Sequence, residues 1–136
     1  MEILLVDDEV EILEMLKRHL EFEGFKVVTT SDPIEAEKLM AEHLFRLAVT
    51  DIRMPGMTGI ELLQKFKALN PLANVFIMTG YSNMSYVVEC LSNGAYDYFT
   101  KPFNDLDGIL ATLKDGWKRV KRWEGAMQFN DDSSNG

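Results

Sequence analysis

Asp7 and Asp8, Asp51, Thr79 and Lys101 each follow closely on a short apolar run. Ile3-Leu4-Leu5-Val6 leads into Asp7-Asp8, Leu47-Ala48-Val49 into Thr50-Asp51, Val75-Phe76-Ile77-Met78 into Thr79, and Ala95-Tyr96-Asp97-Tyr98-Phe99 into Thr100-Lys101. If these runs are strands of one parallel sheet, three carboxylates, a hydroxyl and an ammonium meet outside its carboxyl edge, where such sheets bind ligands. Three acids in a partly buried cleft raise one another's pKa and call for a counter-charge. A hard divalent cation with oxygen ligands answers that need, and for a site that keeps waters and meets phosphate the cation is Mg²⁺. Taken singly, each residue has a plainer reading. Asp7-Asp8 would cap a helix, Asp51-Ile52-Arg53-Met54-Pro55-Gly56 would be a turn, Thr79-Gly80 a cap and Lys101-Pro102 a surface loop. It is their joint arrival at four strand ends that favours a site.

The elements that must position these residues alternate strictly. A fifth apolar run, Phe25-Lys26-Val27-Val28, completes the set, and between the runs lie helical patterns. Ile12, Met15, Leu16 and Leu20 mark a first helix that Gly24 can close in the left-handed conformation. Asp32 is the expected N-cap of a second, with Pro33 at its first position, and Thr58 begins a third that stops at Asn70-Pro71. Val87, Val88 and Leu91 form a fourth, ended by Asn93-Gly94. The last runs from about Asn104 through Leu106, Leu110, Leu113, Trp117 and Val120. Five β-α units of this kind predict an α/β fold with a doubly wound, five-stranded parallel sheet, flavodoxin-like, in the order 2-1-3-4-5. The first, third and fourth runs are nearly continuous in apolar residues, as strands covered on both faces are, whereas the second and fifth mix in polar residues as edge strands do.

With 136 residues, 46% of them hydrophobic, the chain is expected to be one domain able to bury a core without disulfides or a structural metal. Cys90 is the single cysteine, which suits a reducing compartment; no basic n-region precedes Ile3-Leu4-Leu5-Val6, and no apolar run approaches the ~18 residues of a membrane span. A soluble, cytoplasmic protein without membrane contact is therefore expected. The net charge of −8 argues against a general grip on nucleic acid. Its distribution is uneven: residues 1–113 carry 9 basic and 18 acidic side chains, residues 114–124 carry 5 and 2.

The motifs V-D-D-E at 6–9, T-D-I-R-M-P-G-M-T-G at 50–59, M-T-G-Y at 78–81 and G-A-Y-D-Y-F-T-K-P-F at 94–103, in this order and spacing, resemble the receiver domains of two-component response regulators. The resemblance covers about residues 1–120, leaving 121–136 as a C-terminal extension, disordered or a linker. It implies that Asp51 is the phosphoacceptor, served by a sensor histidine kinase or a histidine phosphotransfer protein. Asp8 and Asp51 would bind Mg²⁺ through their side chains, Arg53 through its backbone carbonyl and Asp7 through water. Lys101 and Thr79 would contact phosphoryl oxygens, with Lys101 also the resting counter-ion of Asp51 and the Lys101-Pro102 peptide cis. On phosphorylation Thr79 would move toward the new charge and Tyr98 would turn inward, changing the surface over the fourth helix, fifth strand and fifth helix. Arg53 and Tyr81 would modulate the site, with a bulky Tyr81 hindering the attacking water. Such a domain is not a conventional enzyme, although it promotes its own phosphorylation and dephosphorylation.

Two rivals fit less well. A haloacid dehalogenase-type phosphatase would place its aspartyl nucleophile after the first strand with a second acid two residues on, but Asp7-Asp8-Glu9 lacks D-x-D and leaves Asp51 without a role. A flavodoxin needs a Ser/Thr/Gly phosphate cradle after the first strand, where this chain has acid. The heptad spacing of Leu106, Leu110, Leu113, Trp117 and Val120 suggests sheet packing first and then a helical linker or dimer contact, although Gly108 and Gly116 each weaken a helix by about 1 kcal/mol. A homodimer through the fourth helix, fifth strand and fifth helix, or through the extended last helix, is a further expectation. Residues 104–113 lean toward receivers attached to ATPase-driven transcriptional activators.

Overall fold

The computed structural model describes residues 1–54, 56–80, 84–101, 103 and 105–134, with the backbone alone for Arg53 and 128–134. The elements are β1 (Glu2–Val6), α1 (Val10–Phe22), β2 (Lys26–Thr30), α2 (Pro33–Glu42), β3 (Leu47–Asp51), β4 (Arg53–Met54), β5 (Met57–Thr58), α3 (Gly59–Leu69), β6 (Asn74–Thr79), α4 (Met84–Ser92), β7 (Asp97–Thr100) and α5 (Leu106–Ser134). Five strands form one parallel sheet in the order β2-β1-β3-β6-β7. This is the 2-1-3-4-5 order expected from the alternation, because β4 and β5 stand apart as a short antiparallel ribbon between β3 and α3.

Alternation of side chains along each strand divides the core into two halves. Leu4, Val6, Ala48, Val75 and Ile77 face α2, α3 and α4, where Ala36, Met40, Leu62, Leu63, Phe66, Val87 and Cys90 close over them. Ile3, Leu5, Leu47, Val49, Phe76 and Met78 face α1 and α5, against Leu13, Leu16, Leu20, Ile109, Leu110 and Leu113. The three central strands are apolar on both faces for this reason, and the more polar runs, β2 and β7, are the edges.

Helix ends follow their local chemistry. Asp32 accepts from the Ile34 N–H at 2.9 Å and Thr58 from the Glu61 N–H at 3.2 Å, so both expected N-caps close their first turns. Gly24 and Gly94 have φ of +97° and +101° and end α1 and α4. The same caps move two strands. The Phe25 N–H donates to the Leu20 carbonyl and the Ala95 N–H to the Cys90 carbonyl, both at 3.0 Å. These residues complete the preceding helix caps, so β2 begins at Lys26 and β7 at Asp97, later than the apolar runs suggest.

The last helix differs most from expectation. It begins at Leu106, after Asp105 accepts from the Gly108 N–H at 2.9 Å, and continues to Ser134, whereas residues 121–136 were expected to be an extension, disordered or a linker. A helix already anchored by Leu113 and Val120 adds further turns without a new nucleus, and Ala126, Met127 and Gln128 favour it locally.

Candidate functional site

The ends of β1, β3, β6 and β7 bring the chemistry-bearing residues together. Asp7 follows β1 in full burial, held by its N–H on the Thr30 carbonyl at 3.3 Å. Its Oδ1 accepts from the Glu9 N–H at 2.9 Å, a tight turn that delivers the chain into α1. Asp8 is exposed beside it. Asp51 closes β3 in register with Met78, and the Ile52 N–H binds the Met78 carbonyl at 3.1 Å. The chain then loops through β4 and β5 and returns so closely that the Gly59 N–H reaches the Ile52 carbonyl. A Cβ on Gly59 would lie 2.7 Å from Ile52 Cα and 2.8 Å from the Asp51 carbonyl oxygen, so only glycine lets α3 start against the strand end that carries Asp51.

Thr79 ends β6 almost fully buried, its hydroxyl donating to the Gly80 carbonyl at 3.0 Å. The Lys101 N–H donates to the Thr79 carbonyl at 2.7 Å, fixing the last residue of the group beside it. From there the Lys101 ammonium lies 2.7 Å from Asp7 Oδ2, 3.2 Å from Glu9 Oε1 and 3.3 Å from Asp51 Oδ2. It therefore partners three carboxylates, with Asp7 nearer than Asp51.

Burial sets the electrostatics. Desolvation pushes the Asp7 carboxyl up to about 6, against the pull of Lys101 and of the Glu9 N–H. Asp51 is raised by the same cause, again opposed by Lys101 and reinforced by the charge of Asp8. Burial works against the Lys101 ammonium too, but Asp7, Asp51 and Glu9 together outweigh it and leave its pKa raised. The rim thus carries more negative charge than one ammonium satisfies. Asp7 Oδ2 shows this directly: it is shut off from solvent and receives no well-angled hydrogen bond, only the ion contact with Lys101.

Asp7, Asp8, Glu9 and Asp51 each present a carboxylate oxygen within 4.8 Å of the others. Hard oxygen donors at that spacing, with one buried oxygen short of a partner, suit a hard divalent cation. The three expected acids are thus brought together, and a fourth, Glu9, joins them unforeseen. Its signal in the sequence was an acid at a helix N-cap position, where its side chain makes no capping bond. Tyr98 is half-buried on the sheet face covered by α3 and α4, packed against the cluster containing Val87 and Cys90. Arg53 places its backbone in β4, opposite Thr58. The Arg53 side chain, Tyr81 and the Lys101-Pro102 peptide lie outside the described residues.

Residues 3–114 match the family described as the response regulator receiver domain. The chain belongs to that family. Transcriptional regulatory protein ZraR of Escherichia coli (strain K12) is 40% identical over 113 residues, covering 83% of this chain and 25% of ZraR. The receiver thus spans about a quarter of the length of the curated relatives it matches. Among solved structures, a response regulator receiver domain protein from Clostridium thermocellum superposes with a TM-score of 0.79 at 29% identity, covering 90% of this receiver and 96% of that chain. NtrX from Brucella abortus, in complex with ADP, gives 0.87 at 28% identity, covering 94% of this receiver but 29% of NtrX. Among the described residues of the receiver, no helix is long and apolar enough to cross a membrane.

Proposed function

We propose that Asp51 accepts a phosphoryl group from the phosphohistidine of a kinase or phosphotransfer protein, in a Mg²⁺-dependent reaction. The observation that carries this reading is the contrast between two buried acids on one ammonium. The Asp7 side chain is 0% exposed, whereas the Asp51 side chain keeps 13% of its surface open at the rim. Asp51 is thus the one a phosphodonor can reach. A carboxylate oxygen of Asp51 attacks phosphorus, the phosphorus–nitrogen bond to the imidazole breaks, and the departing imidazole nitrogen takes up a proton from solvent.

Asp8, Asp51 and the Arg53 carbonyl would hold Mg²⁺, with Asp7 acting through water. The bound ion supplies neutralisation of the phosphoryl charge. Lys101 contributes the second positive charge, and its raised pKa keeps it charged at neutral pH. Thr79 then exchanges the Gly80 carbonyl for a phosphoryl oxygen, and Tyr98 follows it within the core under α4, biasing the surface of α4, β7 and α5. On that surface Met84, Val88 and Leu91 are exposed on α4, and Trp123 and Met127 on the extended α5. A second copy of the receiver, or an output domain such as the transcriptional relatives carry, would use it. Residues 1–120 form the receiver on this reading, and 121–136 are its linker. One buried thiol, Cys90, and a phosphohistidine donor both suit the cytoplasm.

The test is phosphorylation with acetyl phosphate and Mg²⁺, reductive trapping of the acyl phosphate and mapping by mass spectrometry. Label confined to Asp51, and absent from Asp51→Asn, supports the reading. Label on Asp7, or turnover of many phosphomonoesters that survives Asp51→Asn, favours the phosphatase chemistry instead.

A further inference from the structure

Glu9 has no part in the chemistry above, yet its side chain lies on the same ammonium. Residues at helix N-caps use a short side chain to bind the first free N–H groups, which is why Ser, Thr, Asp and Asn are preferred there. Glu9 caps α1 without doing so; its Oε1 instead reaches across the rim to Lys101 at 3.2 Å. A side chain that breaks a local preference and makes a long-range contact with a site is a candidate for function. The plain alternative is an acid near a helix N-terminus that favours the helix dipole.

The geometry gives Glu9 a different position from its neighbours. Asp7 and Asp51 hold Lys101 from inside, with side chains 0% and 13% exposed, whereas the Glu9 side chain is 59% exposed and approaches from solvent. A divalent cation held by Asp51 directly and by Asp7 through water would repel an ammonium seated 2.7 and 3.3 Å from oxygens of the same two carboxylates. For the site to load, Lys101 must leave the inner pair while remaining close enough to meet a phosphoryl oxygen.

We propose that Glu9 is a positioning residue for Lys101: it retains the ammonium at the outer rim while Asp7 and Asp51 exchange it for the divalent cation. The proposal rests on the reading of the site as a Mg²⁺-dependent phosphoacceptor. Lys101 keeps one anionic partner throughout the exchange, so it neither blocks the cation nor swings out of reach of Asp51. With glutamine at position 9 the ammonium has no anionic outer partner, holds Asp7 and Asp51 more tightly and competes with the cation.

The test is a double-mutant cycle on Mg²⁺ affinity, measured by calorimetry on the full chain as wild type, Glu9→Gln, Lys101→Met and the double variant. Glu9→Gln is expected to weaken Mg²⁺ binding about three- to fivefold when Lys101 is present, the range of a solvent-facing charge pair. In the Lys101→Met background the loss should shrink to less than half of that. An equal loss in both backgrounds means that Glu9 acts on the cation directly or through space and overturns the proposal, as does unchanged affinity in Glu9→Gln. Absence of Mg²⁺ binding by the wild type overturns the site reading itself and the proposal with it.

Discussion

The two edges of the central sheet handle polar groups in opposite ways. At the carboxyl edge, Asp7, Asp51 and Glu9 share one ammonium, two of them carry raised pKa values, and a buried oxygen of Asp7 lacks a well-angled donor. At the amino edge several polar groups find close partners. The Asn70 side chain donates to the Phe45 carbonyl at 2.8 Å, Asn74 to the Gly116 carbonyl at 2.8 Å, and Lys67 to the carbonyls of Pro71 and Ala73 at 2.8 and 2.9 Å. Arg46 pairs with Glu124 and lies over the Trp117 ring. One edge closes the fold, and the other keeps charge that its single ammonium does not balance, at the site proposed to take the cation. Local conflict in a folded protein gathers where it functions.

The largest stability effect is expected at the amino edge. A Cβ on Gly116 would stand 2.7 Å from Phe76 Cζ and 3.4 Å from Leu47 Cδ2. Phe76 is fully buried and stacked on Phe99 with ring centroids 5.5 Å apart, so it yields only by disturbing that packing. Gly116→Ala should therefore destabilise the protein by about 2 kcal/mol, overpacking exceeding the gain in helix propensity. Urea unfolding measures this, and Mg²⁺ affinity should be unchanged. An alanine that stabilises, as propensity alone predicts, would mean that α5 does not lie this close to the sheet.

The next effect has the opposite sign and lies at the rim. The Asp7 carboxyl, raised from 3.8 to about 6, binds its proton more tightly folded than unfolded. Stability therefore falls as pH rises through that window and levels off above it. Asp7→Asn removes the penalty and should stabilise the protein by about 1–2 kcal/mol at neutral pH, with little difference near pH 4. It should also weaken Mg²⁺ binding severely. Unfolding curves across that pH range check the first point and calorimetry the second. A variant less stable than wild type at neutral pH would show that the Asp7 and Lys101 ion contact outweighs the burial of the charge.

The two edges were not equally legible in the sequence. The rim was visible because its residues sit at the ends of apolar runs, and parallel pairing turns neighbouring runs into neighbouring ends. Asp7, Asp8, Asp51 and Lys101 could thus be placed together without knowledge of any side-chain conformation. Glu9 was missed, because its contact with Lys101 spans 92 positions and depends on which way one flexible side chain turns. The amino edge was nearly invisible. Gly116 reads as a flaw in a helix until the approach of α5 to Phe76 is known. Nothing in the spacing of Arg46 and Glu124 announces that they meet. The starts of β2 and β7 were misjudged for a local reason, since Phe25 and Ala95 are apolar but spend their N–H groups on helix caps.

The smallest effect tests the contrast through its sign. Glu124 is held below its ordinary value, chiefly by the hydrogen bond from Arg46, with Lys121 adding to it. A carboxylate with a lowered folded pKa contributes stability that is present above its unfolded pKa and lost as pH falls through the folded value. Glu124→Gln should cost less than about 1 kcal/mol at neutral pH, because the side chains of Arg46 and Glu124 retain 32% and 22% of their surface. The cost should shrink as pH falls through the lowered folded value, where the wild-type carboxyl takes up its proton as well. Asp7→Asn and Glu124→Gln would then give stability differences that shrink together on acidification but from opposite sides, one variant being the more stable and the other the less. If both differed from wild type in the same direction at neutral pH, the division between an edge that stores charge and an edge that settles it would fail. Added salt separates the two further, since the Arg46 and Glu124 pair is screened while the buried Asp7 is not.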